Sequence, residues 1–157
     1  MNRKLIASLI AFVAPFCASG QTYAENCMAV DCPAGSRAVT YAKRQEPYYA
    51  CGTRELADYT NFVLGLVVMQ KQLTGTMPNI SDKTGEPEYQ DETKLMLDSL
   101  RKKAGVTTFD QAVSMCAKGV GRLKVVVLNN PKDNNVIYVV THNKKTFWLP
   151  KTSLDKK

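Results

Sequence analysis

The cysteines are the residues here whose type and spacing first suggest chemistry. Cys17 falls within the first twenty residues, which leaves Cys27, Cys32, Cys51 and Cys116. Four thiols can ligate a metal, cycle as a redox pair or close as disulfides. Redox catalysis usually places a Cys-x-x-Cys pair at a helix start, where the thiol pKa falls. No pair here has that spacing. A structural zinc site takes four Cys or His ligands, typically in closely spaced pairs. One histidine and four scattered cysteines match that poorly, so no metal or other cofactor is expected. An even count in an exported chain reads instead as two disulfides, and four cysteines allow three connectivities. If residues 37–43 and 47–51 pair as a hairpin, Cys51 lies opposite the start of the first strand and Cys32 falls beyond its reach. That register favours Cys51 with Cys116, and Cys27 with Cys32.

The other reactive groups are few. His142 ends an apolar run beside Asn143 and Lys144 and reads as a solvated turn residue. Glu86 and Glu88 flank Pro87 in a polar stretch. They act as an acid pair only if that loop folds into a cleft, and otherwise they form a solvated acidic loop. Ser114 lies one turn beyond Asp110, with no histidine placed to join them. The chain has no Gly-x-Ser-x-Gly elbow, His-Glu-x-x-His pair or Walker loop. No catalytic residue is assigned. Tyr41, Tyr48, Tyr49, Phe147 and Trp148 stand in strand-like runs near cations. Such aromatics can stack on nucleic-acid bases, but on a half-buried sheet they read as core. Nucleic acid is not an expected partner.

These groups need elements to hold them. Thr53 is a helix N-cap in type, and Leu56, Tyr59, Phe62, Val63, Leu66, Val67 and Leu73 recur at helical spacing as far as Thr74-Gly75. Gly65 interrupts this helix at a cost of about 1 kcal/mol relative to Ala, which close packing against it would explain. Residues 76–90 form a long polar connection. A second helix covers 91–104, with Asp91 and Glu92 in its first turn, Arg101, Lys102 and Lys103 in its last, and Gly105 as its stop. A third starts near Thr108, turns Phe109, Ala112, Val113 and Cys116 inward, and ends at Gly119. Residues 123–128, 136–141 and 146–149 are strand-like and separated by turn clusters, which makes an antiparallel meander. Residues 151–157 read as a frayed tail. The expected fold is therefore α+β: an N-terminal β-hairpin, three helices and a C-terminal three-stranded antiparallel meander, stapled by two disulfides.

The first twenty residues give the address. Arg3 and Lys4 precede an apolar run ending at Pro15, and Ala18, Ser19 and Gly20 follow. This is the order of a secretory signal, too short to span a bilayer. Cleavage after Gly20 leaves residues 21–157 as one exported domain, periplasmic or secreted, with no transmembrane segment expected in the mature chain. The whole chain carries a net charge of +7, unevenly spread. Residues 121–157 hold eight cations against Asp133 and Asp155. A basic C-terminal region suits an acidic protein or an anionic envelope polymer. Lys144, Lys145, Lys151 and Trp148 are the candidate contact residues. The expected function is a non-catalytic bacterial envelope protein that binds another macromolecule, as an inhibitor, an immunity factor or an accessory of a secretion or transfer apparatus. The alternative is a small cell-wall hydrolase using a Glu or Asp.

Overall fold

The structure is a computed structural model that describes residues 25–42 and 47–157. Among the described residues the chain forms a mixed α+β fold. Its strands are β1 (Arg37–Thr40), β2 (Tyr49–Cys51), β3 (Cys116–Lys118), β4 (Lys124–Asn129), β5 (Val136–Thr141), β6 (Thr146–Pro150) and β7 (Leu154–Lys156). Its helices are α1 (Arg54–Thr74), α2 (Asp91–Ala104) and α3 (Phe109–Ser114). The signal peptide expected over residues 1–20 and the turn expected at 43–46 lie outside the described residues.

The helix ends follow from local chemistry. Thr53 accepts the Leu56 N–H at 3.3 Å, and Gly75 closes α1 in the left-handed region at φ 74°. Gly105 closes α2 in the same way, at φ 68°. Thr108 caps α3 by accepting the Gln111 N–H at 3.2 Å. The third helix is shorter than expected: it ends at Ser114, and Cys116 opens a strand rather than lying on the helix. Gly119 is therefore no helix stop. A side chain there would overlap the Tyr48 ring, and its N–H donates to the Tyr48 carbonyl at 2.8 Å. Close packing does not explain Gly65 either, since a methyl group at that position would meet open space.

All seven strands join one antiparallel sheet in the order β3-β2-β6-β5-β4-β1-β7. The hairpin expected between 37–43 and 47–51 does not form. β1 pairs instead with β4 and β7, and β2 with β3 and β6. A four-residue strand has little pairing information of its own, so its partners are set by the tertiary fold. β4, β5 and β6 do follow one another as neighbours, but as the middle of the larger sheet rather than a separate meander. The expected tail is also ordered: Lys151–Ser153 make a 3-10 turn, and β7 pairs with β1.

The sheet is strongly curled. β1 and β2 lie four places apart in the strand order, about 19 Å if the sheet were flat. Yet one carbonyl, that of Val120, accepts both the Thr40 hydroxyl of β1 at 2.6 Å and the hydroxyl of Tyr48, just before β2, at 2.9 Å. Residues 119–122 thus draw the β3 edge back towards β1. The concave side encloses one core, with Ala38, Tyr48, Val125, Val127, Ile137, Val139, Leu149 and Leu154 buried together. The Cys27–Cys32 disulfide loop packs into this core and ties to β7, where the Cys27 N–H donates to the Leu154 carbonyl at 2.8 Å.

The convex side carries the helices. α1 lies across β2, β5 and β6, and α2 and α3 pack on α1. Leu56, Ala57, Tyr59, Val63, Leu66, Leu97, Val106 and Ala112 bury a second core there with Cys51 and Val136. Asn61 fixes the docking of α1. Its side chain accepts the Tyr49 N–H at 2.8 Å and donates to the Tyr49 carbonyl at 3.0 Å. The Cys51–Cys116 disulfide joins residues that also face each other in the β2–β3 ladder.

Candidate functional site

Pleat alternation places every second residue of β1, β4, β5 and β6 on the convex side. On β4 these are Lys124 and Val126, with Leu128 at a bulge and Asn129 opposite Tyr138; on β5, Tyr138 and Val140; on β6, Thr146 and Trp148; on β1, Arg37 and Val39. The register sets Arg37, Val126, Val140 and Thr146 side by side across four strands. Tyr138 faces Trp148, and their rings stack with centroids 4.9 Å apart. A β-bulge between Val127 and Asn129 turns the strand locally at Leu128. The helices cover only part of this surface. Trp148 packs against the helical core, whereas Val126 and Leu128 stay 37% and 41% exposed. Isolated apolar side chains on a surface are ordinary, but adjacent ones on a regular sheet face form a patch with meaning.

Cations fringe this face. Arg37 and Lys124 lie on it and are exposed. Lys124 precedes Val125, whose ladder partner is Thr141, so it stands at the same end as the 142–145 turn. That turn carries Lys144 and Lys145 into solvent, with Lys144 left-handed at φ 61°. The Thr141 hydroxyl holds the turn by accepting the Lys145 N–H and donating to the Lys145 carbonyl, each at 3.1 Å. One carboxylate, Asp155, faces Val39 across the β1–β7 ladder, and burial pushes its pKa up.

Of the four contact residues expected from sequence, three lie near one end of the β5–β6 hairpin or on its convex side. Trp148 lies on the convex face at the border of the helical layer, and Lys144 and Lys145 stand exposed in the turn at one end of that face. Lys151 is the exception and corrects the expectation that it is exposed. It sits past the opposite end of β6, is only 6% exposed, and donates from Nζ to the Pro131 carbonyl at 2.6 Å. Sequence reading missed Arg37, Lys124, Val126, Leu128 and Val140. Residues 123–128 did carry a signal, because both faces of that strand are apolar. A strand of that kind expects cover on both sides, and β4 receives it on one.

The acidic loop also departs from its expected form. Glu86 is 4% exposed, not solvated. Its carboxylate accepts the Tyr59 hydroxyl at 2.6 Å and pairs with Arg101, whose other terminal nitrogen pairs with Asp98. The loop folds inward through a bridge between Ile80 and Pro87 and through the Ser81 N–H donating to the Glu86 carbonyl. Glu88 points away and is exposed, so the two carboxylates make no pair. His142 is exposed in its turn. Among the described residues no group of three or more His, Cys, Asp or Glu is placed to hold a metal, and no helix is long and apolar enough to cross a membrane. No protein-family model matches this chain, and neither a curated protein nor a solved structure shows significant similarity to it.

Proposed function

We propose that this is an exported, non-catalytic protein of the bacterial envelope that docks an acidic protein on the uncovered part of its convex sheet face. The observation that supports it most is exposed Val126 with exposed Leu128 at the adjoining bulge, beside Arg37 and Lys124, where an apolar stretch lacks cover. Cations alone suit a polyanion as well as a protein. An anionic polymer gains nothing from an apolar stripe, whereas a protein partner buries it at about 25 cal/mol per Å². The two disulfides agree with an oxidising compartment. Inhibitor, immunity factor and apparatus accessory are the forms this role takes.

Two sets of variants test the reading by affinity for the partner recovered with the wild-type chain. Val126→Ser with Leu128→Ser removes the stripe and keeps the charge. Lys144→Gln with Lys145→Gln removes charge and keeps the stripe. Both sets weaken an acidic protein partner, by roughly tenfold for the apolar pair, and added salt weakens it further. Loss of binding in the lysine set alone assigns the face to an anionic polymer instead. Unchanged binding in both sets removes the face from function.

A further inference from the structure

Lys151 is a buried cation that the docking face does not use. Beside it lies a recess of about 300 Å³ between the Cys27–Cys32 loop and the 130–135 turn, with Val30, Asp31, Lys132 and Asn135 in its wall. An ammonium has three donors, and Lys151 uses one, on the Pro131 carbonyl. Among the described residues no carboxylate forms an ion pair with it; Asp133 acts only at longer range. Burial correspondingly holds its pKa below the ordinary lysine value. Asn130, which lines the same recess, donates its Nδ2 to the Cys32 carbonyl at 3.1 Å, while its Oδ1 is buried with no partner. A buried charge short of partners and a buried orphan acceptor each cost free energy, and here they share one small space.

A ligand that relieves both must offer an anionic acceptor and, close to it, a donor. Sulfate turns only acceptors towards Asn130 Oδ1. A free amino acid brings its donor as a second positive charge beside Lys151 and Lys132, with Asp31 as the carboxylate in the wall to offset it. A peptide terminus combines a carboxylate with a neutral N–H on the same residue. We propose that this recess captures the free carboxyl terminus of a peptide, with the carboxylate on Lys151 Nζ and the last N–H on Asn130 Oδ1. Capture of a terminal carboxylate is an established mode of peptide recognition. The site lies past the far end of β6 from Lys144 and Lys145, so it stands or falls apart from the docking face.

The test follows amide resonances of the isotope-labelled mature chain during titration with N-acetyl-alanyl-alanine and, separately, with its C-terminal amide. The free acid shifts the Asn130 side-chain amide and the Met28 to Val30 backbone amides saturably, and the amide form does not. Lys151→Met weakens the acid by roughly tenfold or more, the usual scale for losing a charged hydrogen-bond partner. Lys132→Gln, at an exposed position, folds normally and weakens it by less. Val126→Ser leaves it unchanged, which separates this site from the docking face. Equal shifts with acid and amide, no saturable shift with either, or equal affinity for free alanine or inorganic phosphate overturns the assignment. If Lys151→Met fails to fold, the acid–amide contrast on the wild-type chain and the Lys132→Gln titration decide the matter.

Discussion

Glu86 carries more of the helical layer than its place in a polar loop suggests. It receives a hydroxyl from Tyr59, 27 residues earlier, and an ion pair from Arg101, 15 residues later. Neither partner is visible from the Glu-Pro-Glu context, because burial of a loop carboxylate depends on which helices close over it. Replacing it as Glu86→Gln keeps the shape and removes the charge. Expected is a loss of about 1.5–3 kcal/mol in urea unfolding, the scale for hydrogen bonds to charged groups, with helix content retained. Tyr59 and Tyr48 make the fold sensitive to alkali. Burial, reinforced at Tyr59 by the Glu86 carboxylate, raises both phenol pKa values above the ordinary 10.0. The folded chain then keeps protons that the unfolded chain gives up. Their contribution is complete below about pH 10 and is lost as pH rises beyond it. Urea midpoints at about pH 9 and 11 should differ for the wild type and differ less for Tyr59→Phe. Lys151 teaches the same lesson as Glu86, since its charge predicted solvent while the tertiary fold buried it.

At the scale of elements, what was legible was what is local. α1 and α2 begin and end where cap residues, first-turn acids and stop glycines place them, because those signals act within a turn of the chain. Strands β1, β2, β4, β5 and β6 were legible too, but β3, β7 and the strand pairing were not. β1 chose partners more than 80 residues away, and nothing in its four residues names them. The site shared this fate, since a face built from four strands becomes visible only after they are paired. Gly65 offers a clean check at this scale. It lies inside α1 with open space where a methyl group would go. Gly65→Ala should therefore stabilise the chain by about 0.5–1 kcal/mol, the ordinary helix preference, in thermal or urea unfolding. A loss instead would mean that the position is filled.

At the scale of the molecule, two covalent links close loops of very different length. Cys27–Cys32 spans 5 positions and Cys51–Cys116 spans 65. Both pairs match the expected connectivity, although the hairpin used to derive it is absent: Cys51 reaches Cys116 because β2 pairs with β3. In the chain-entropy view, replacing Cys51 and Cys116 by Ser should cost about 4 kcal/mol and replacing Cys27 and Cys32 about 2. Reversible denaturation of the two double variants measures the difference. A chain lacking residues 1–20, and with them Cys17, should also show no free thiol when denatured without reductant; two free thiols per chain would contradict one link and four would contradict both.

The longer link has one more consequence. Everything between Cys51 and Cys116 is helix or the loops joining helices, and its two ends stand 4.4 Å apart at their Cα atoms. The helical layer is thus a cassette set into the sheet at a single point and closed there by its own clasp. A protease that nicks the 76–90 connection leaves both fragments joined through the Cys51–Cys116 disulfide, and reduction would then separate them. Because the cassette enters and leaves the sheet at that one point, insertions or deletions in its loops should leave the strand order and the uncovered face unchanged.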